Sequence, residues 1–269
     1  MPTRTALSTS TALTPITADH PKGQKSVEVY RAQYNGAGLD EDAAQRLNES
    51  KPFAAYLAEG IRRYSAKQPD YTLAQSVLGT DFITPEEIAK ARGVVYSPEQ
   101  IESLANTIPP EDTLRWCRDN GYAIMAAPPT AMSLLDVRSL HAGHFYSKEG
   151  GWYSKDPEKF SRDDKTTSGW LAIRKDIVPK STSKNWNEQQ ALLSGVEYVP
   201  NAAEMSWFVT TYFEVRGIRL LERIYVRTSS LDSDGRRVSV GAFDAEGLFV
   251  YDNWDDLRNE LLGLASARK

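Results

Sequence analysis

Apolar positions recur at helical spacing from residue 39 to residue 121. In Pro52 to Ala66, Phe53, Tyr56, Leu57, Ile61 and Tyr64 fall near a three-to-four spacing, which predicts a helix with one apolar face. Leu39 to Leu47 predicts a shorter helix with Asp40 as N-cap, and Asp70 to Leu78 predicts another, stopped by Gly79. Thr84-Pro85-Glu86-Glu87 and Ser97-Pro98-Glu99-Gln100 each read as a capping box with proline at the first helical position. Pro110 to Asn120 follows, with Gly121 where a left-handed cap is wanted.

Beyond Gly121 the period changes. Tyr122 to Met125 reads as a short buried strand, broken by Pro128-Pro129, and Met132 to Leu140 as a helix. Residues 141–167 show no period. Gly169 to Lys175 alternates like a strand, with Trp170, Ala172 and Arg174 on one side and Leu171 and Ile173 on the other. Trp186 to Leu193 reads as a helix. Asn201-Ala202-Ala203-Glu204 opens a longer one, running to Gly217 and apolar around most of its circumference, as a buried spine would be. Strands are predicted at Arg223 to Thr228, Arg237 to Phe243 and Gly247 to Tyr251. They are joined through Asp232-Ser233-Asp234-Gly235 and Asp244-Ala245-Glu246-Gly247, whose Asp/Gly chemistry suits hairpin turns. Trp254 to Leu264 reads as a final amphipathic helix.

Helices first and hairpins later predict an α+β fold: a helical N-terminal part, then a small mixed or antiparallel sheet with packed helices. Residues 1–29 contain no aromatic ring and read as a flexible arm, residues 30–121 as a helical region, and residues 122–269 as the α+β domain. Ile108-Pro109-Pro110 is the candidate joint. The pattern leaves open whether the helical part stands alone or packs on the sheet.

Composition narrows the classes. A chain of 269 residues suits one large domain or two small ones. A net charge of -4 excludes a strongly basic nucleic-acid coat. A single cysteine, Cys117, excludes an intrachain disulfide and a cysteine-cluster zinc site. No window approaches the roughly 18 apolar residues of a membrane span, and no signal-like apolar run follows the N-terminus, so a cytoplasmic protein without membrane contact is expected.

Candidate chemistry is concentrated at 145–189. Phe145, Tyr146, Trp152, Tyr153, Phe160, Trp170 and Trp186 lie there, and nine basic residues stand against six acidic ones between Lys148 and Lys184. Interleaved rings and cations suit stacking and phosphate contact. Ser181, Ser183 and Lys184 precede a helix start where an anion could sit, and Glu188 is a carboxylate within reach of it. Arg227 and Ser229, at a strand end, could clamp a carboxylate or phosphate. The expected ligand-binding set is therefore Trp152, Tyr153, Trp170, Arg174, Ser181, Ser183, Lys184, Trp186, Glu188, Arg227 and Ser229. No catalytic residue is assigned. His141-x-x-His144 is the only histidine pair, and no third ligand stands at a fixed spacing, so neither a metal nor another cofactor is expected. Asp232-x-Asp234-Gly235 opens like a calcium loop but lacks the later bidentate acid.

Gly169 to Lys175, Val178-Pro179, Ser181 to Gln189, Tyr225 to Ser230 and Gly263 to Lys269 together resemble a group of uncharacterised bacterial proteins over roughly the last 160 residues. The resemblance implies a bacterial or bacteriophage source and carries no fold or activity. The expected function is a soluble binding module presenting a polar-aromatic, locally basic surface to an anionic small molecule, a nucleic acid or a protein. The other reading is an enzyme acting on a nucleotide, nucleic acid or glycan. A homo-oligomer, through the arm and the helical half, also stays open.

Overall fold

A computed structural model describes residues 16–65 and 69–269, and the chain divides after Ser65 into two units. The first unit holds helices α1 (Pro21–Gly36), α2 (Glu41–Glu49) and α3 (Lys51–Ser65). Asp40 caps α2 by accepting from the Ala43 N–H at 2.7 Å. Residues 21–29 were expected in a flexible arm and are helical instead. Pro21 stands at the helix start, His20 caps it, and Lys, Gln and Glu, all good helix formers, follow. Of the rest of the expected arm, residues 16–20 are described and not helical, and residues 1–15 lie outside the described residues. Phe53, Tyr56, Leu57 and Ile61 do share a face of α3, and that face is exposed.

The second unit is α+β. Its helices are α4 (Thr72–Leu78), α5 (Pro85–Arg92), α6 (Pro98–Asn106), α7 (Glu111–Asp119), α8 (Leu134–Leu140), α9 (Phe160–Asp163), α10 (Trp186–Gln190) and α11 (Ala202–Arg216). Its strands are β1 (Phe82–Ile83), β2 (Tyr122–Ala126), β3 (Trp170–Arg174), β4 (Glu197–Tyr198), β5 (Tyr225–Leu231), β6 (Arg237–Asp244), β7 (Gly247–Asn253), β8 (Leu262–Leu264) and β9 (Ala267–Arg268). One sheet runs β1-β2-β3-β9-β4, with only the β1–β2 pair parallel. The other runs β7-β6-β5-β8, with only the β5–β8 pair parallel.

Both sheets are organised on α11. Capping boxes form at Thr84, Ser97 and Asn201, so α5, α6 and α11 start where the sequence places them. Ala202 to Tyr212 is buried without interruption, and α11 touches β3 of one sheet and β5 and β6 of the other. Trp207, Phe208 and Val209 share a cluster with Ile173, Val226, Val240 and Phe243. Residues 69–121 pack on the first sheet: Leu78 of α4 and Leu114 and Cys117 of α7 join Phe82, Tyr122 and Ile124 in a second cluster. Of the expected helical region 30–121, residues 69–121 pack on the sheet, whereas residues 30–65 belong to the first unit. Cys117 is fully buried, and desolvation pushes its thiol up to about 11, so it behaves as a small apolar group.

Two sequence expectations fail in this unit. Trp254 to Leu264 is not a helix. Asp255 and Asn259 give their carbonyls to the Trp186 and Ser183 N–H groups, and Leu262–Leu264 pairs with β5 as β8. The helix expected to Leu193 stops at Gln190. The hairpin turns hold: Asp232 Oδ1 accepts from the Asp234 and Arg236 N–H groups, and Gly235 takes φ +83. Gly241 is required where the β6–β7 register shifts. Its φ is +154, and a Cβ there would lie 2.2 Å from the Ile224 carbonyl oxygen.

Candidate metal centre

His141 caps α8, and its carbonyl accepts the His144 N–H at 3.0 Å to close one tight helical turn. Next, the Tyr146 N–H donates to the Leu248 carbonyl at 3.1 Å, tying this turn to the start of β7. The spacing stacks the two imidazoles, ring centroids 3.8 Å apart and 30° between planes. Glu214, in the last turn of α11, reaches between them. Its Oε1 lies 2.7 Å from His141 Nδ1 and also bonds His144 Nε2. Phe213 meets the His144 ring edge-on at 5.3 Å and supports it.

One nitrogen from each ring and one carboxylate oxygen thus lie within 4.8 Å of one another. Among the described residues this is the one place where three such ligand atoms converge. Burial differs across the cluster: the His144 side chain is 13% exposed and Glu214 20%, whereas His141 is 53% exposed and leaves one side open to solvent. Burial pulls the His144 imidazole below its ordinary value, and the nearby charges of His141 and Arg92 pull the same way against the Glu214 hydrogen bond. For Glu214 burial acts upward, but the His144 bond and the charges of His144, His141 and Arg92 prevail and lower its carboxyl. Imidazole nitrogens and a carboxylate oxygen are the donor types a transition-metal ligand set uses.

Arg92, the last residue of α5, is the other charged group here. It is 8% exposed, and its Nε, Nη1 and Nη2 have no hydrogen-bond partner. The guanidinium lies 5.4 Å from the centroid of the Trp207 ring.

The residues expected to bind a ligand lie elsewhere, in three places. Trp152 gives its indole N–H to the Val250 carbonyl at 2.9 Å, and Tyr153 beside it is buried. Trp170 gives its indole N–H to Leu104 at 2.9 Å and packs against Phe82 and Tyr71. Arg174, on the same strand, donates to the Ile177 carbonyl at 3.1 Å. The third place is around β5 and α10. Arg227 is fully buried, and its Nη atoms donate to the carbonyls of Lys184, Trp254 and Leu257 and to Gln189 Oε1. Gln189 in turn donates to the Ser181 carbonyl, and the buried Ser181 hydroxyl accepts the Leu264 N–H. Ser181, Lys184 and Arg227 therefore do meet, but in a network that joins α10, β5 and the 254–257 loop. Glu188 completes the α10 capping box with Asn185 and pairs with Arg258 at 2.8 Å. Trp186 is buried beneath Arg237, at 4.1 Å, and with the exposed Ser229 borders an open recess of about 600 Å³. Ser183 is exposed at φ +56. Of the seven rings in 145–189, Phe145, Tyr153, Phe160 and Trp186 are buried, and only Tyr146 is largely exposed.

Sequence reasoning noted the His141–His144 pair but set it aside as a metal site for want of a third ligand, and it found neither Glu214, 70 residues from His144, nor Arg92. The available signal was an acidic residue near the end of an otherwise apolar helix.

Comparison with family models, with curated proteins and with solved structures finds no match, so any reading of this site rests on its geometry. Among the described residues no helix is long and apolar enough to cross a membrane.

Proposed function

We propose that the protein holds one divalent transition-metal ion between His141, His144 and Glu214 and through it binds a small anionic ligand. The observation that carries this reading is the convergence of two imidazole nitrogens on one carboxylate oxygen. Imidazole with carboxylate suits zinc, iron, nickel or copper, whereas calcium and magnesium prefer oxygen ligands alone. Bond lengths of about 2.0–2.2 Å to a tetrahedral ion set ligand atoms roughly 3.3 Å apart, so binding requires the Glu214 oxygen to withdraw by more than about half an ångström from both imidazoles and to exchange its hydrogen bonds for the ion. Three protein ligands leave a coordination position for water or an exogenous group, and the half-exposed His141 keeps that side accessible. The anionic ligand expected from the sequence is retained and assigned to this centre.

The enzymatic alternative uses the same residues. Water on such an ion ionises near neutral pH and becomes a nucleophile, so a hydrolytic reaction is the class that fits.

Titration of the metal-free protein with Co²⁺, followed by calorimetry and visible absorption, tests the reading. One ion should bind per chain, with the absorption of a low-coordinate nitrogen–oxygen site, and His141→Ala, whose side chain is half exposed, should lose it without unfolding. Equal binding by the wild type and by both His141→Ala and Glu214→Gln would overturn it.

A further inference from the structure

Two buried arginines of this fold, Arg92 and Arg227, and the half-buried Arg216 differ in their hydrogen bonding. Arg227 has four protein acceptors. Arg216 donates to the Thr80 and Phe82 carbonyls and to Glu87. Arg92 has none, although it is 92% shielded from solvent (8% exposed). An uncompensated guanidinium in such a place costs several kcal/mol, and the other two arginines show that this fold can supply acceptors.

What surrounds Arg92 points one way. Its guanidinium lies over Trp207 of α11. At about 100° per residue, Trp207, Thr211 and Glu214 fall within about 60° of arc, on one face of that helix. Thr211 is fully buried, and its hydroxyl also has no partner. Glu214, at the end of the same face, is engaged by the two histidines and forms no ion pair with Arg92, although each lies within the other's field. Arg92 and Thr211 are thus both buried and unpaired beside the face of α11 that ends in Glu214, and the guanidinium presents the planar fork that matches an oxyanion.

We infer that Arg92 and Thr211 form an oxyanion pocket that holds the phosphate or carboxylate end of a small ligand whose other end reaches the His141–His144–Glu214 centre. The inference rests on the metal reading for what the far end of the ligand meets; the anion contact itself does not require the ion. The ligand enters from the exposed His141 side. Because the guanidinium is closed to solvent, it takes a small terminal group. Metal, Arg92 and Glu214 together leave a net positive centre, which an anion neutralises.

The test compares the wild type, Arg92→Met and Glu214→Gln in Tris-chloride buffer, metal-free and Co²⁺-loaded, with inorganic phosphate and acetate as separate probes. Melting temperature and cobalt absorption are the readouts. In the wild type one of the two anions should raise the melting temperature, and the one that does so identifies the group. In Arg92→Met its binding should be roughly tenfold to a hundredfold weaker, while Co²⁺ affinity is kept or increased. Thr211→Val, close in shape, should weaken the same anion without altering cobalt binding. If Co²⁺ binds no better to the wild type than to Glu214→Gln while an Arg92-dependent anion shift persists, the metal reading fails and the pocket stands. If neither anion shifts the wild type, or Arg92→Met responds as fully as the wild type, the pocket is refuted and Arg92 is satisfied by buried water only.

Discussion

Arg92→Met keeps most of the side-chain length and removes the charge. Burial holds the Arg92 guanidinium at about 10, roughly two to three pH units below a free arginine. At 1.36 kcal/mol per unit, its charged form destabilises the fold by about 3 kcal/mol at neutral pH. Loss of the cation–π contact with Trp207 opposes the gain by up to about 2 kcal/mol. Methionine should refill the space along α11 with little strain. The net expectation is a metal-free, anion-free variant more stable than the wild type by about 1–3 kcal/mol, or about 2–10 °C in Tm for a unit of this size. The sign with pH follows from the direction of the shift. A base held below its unfolded value binds fewer protons when folded, so its penalty is full below about pH 10 and fades as pH rises past that value. The gain should therefore be flat across neutral pH and shrink in strong alkali. Urea unfolding followed by tryptophan fluorescence, with calorimetry beside it, measures both. A loss of more than about 1 kcal/mol on substitution would mean that the fold itself satisfies the guanidinium, which would then have no need of an anion.

The same exchange at Arg227 should have the opposite sign. Arg227→Met leaves three carbonyls and Gln189 Oε1 without their donor, and chemical denaturation should show a loss of about 3–5 kcal/mol. Burial pushes the Glu87 carboxyl up, but Arg216 and the Thr84 bonds outweigh it and hold the group below the usual carboxylate range. Its contribution is present above the unfolded glutamate value and is lost as pH falls through the folded one. Glu87→Gln should accordingly cost about 1 kcal/mol near pH 7, allowing for solvent screening, and nothing in strong acid; equal costs at both would contradict the assignment. Gly241→Ala drives a Cβ onto the Ile224 oxygen at a φ side chains rarely adopt, and thermal melts should show a loss of more than about 2 kcal/mol.

Much of the fold was legible because its signals are short in range. The boxes at Thr84, Ser97 and Asn201 need only four consecutive residues. The β5–β6–β7 hairpins announce themselves through two Asp/Gly turns, and the apolar wrap of α11 marks a helix buried on all sides. Trp254 to Leu264 shows why such reading stops. Its apolar spacing is helical, yet Arg227 takes the Trp254 and Leu257 carbonyls, and β5 takes Leu262–Leu264. Tertiary partners override local preference there. The candidate centre was legible only in its local half. His141 and His144 are neighbours in sequence, but Glu214 and Arg92 join them only once α5, α8 and α11 are packed, and one sequence carries no record of that contact. In 145–189 composition likewise does not tell a ring facing solvent from one closing a core: Tyr153 and Trp186 are buried, whereas Tyr146 is exposed.

Strands β8 and β9 lie only two residues apart, yet each belongs to a different sheet. β8 pairs in parallel with β5, and β9 sits between β3 and β4. β9 is the strand that attaches β4 to its sheet, and β8 is the edge partner of β5, so the seven residues 262–268 tether the outer strands of both sheets to each other. A shift of that short tether along β5 would pull on β9 as well, so movement at the edge of one sheet is felt inside the other.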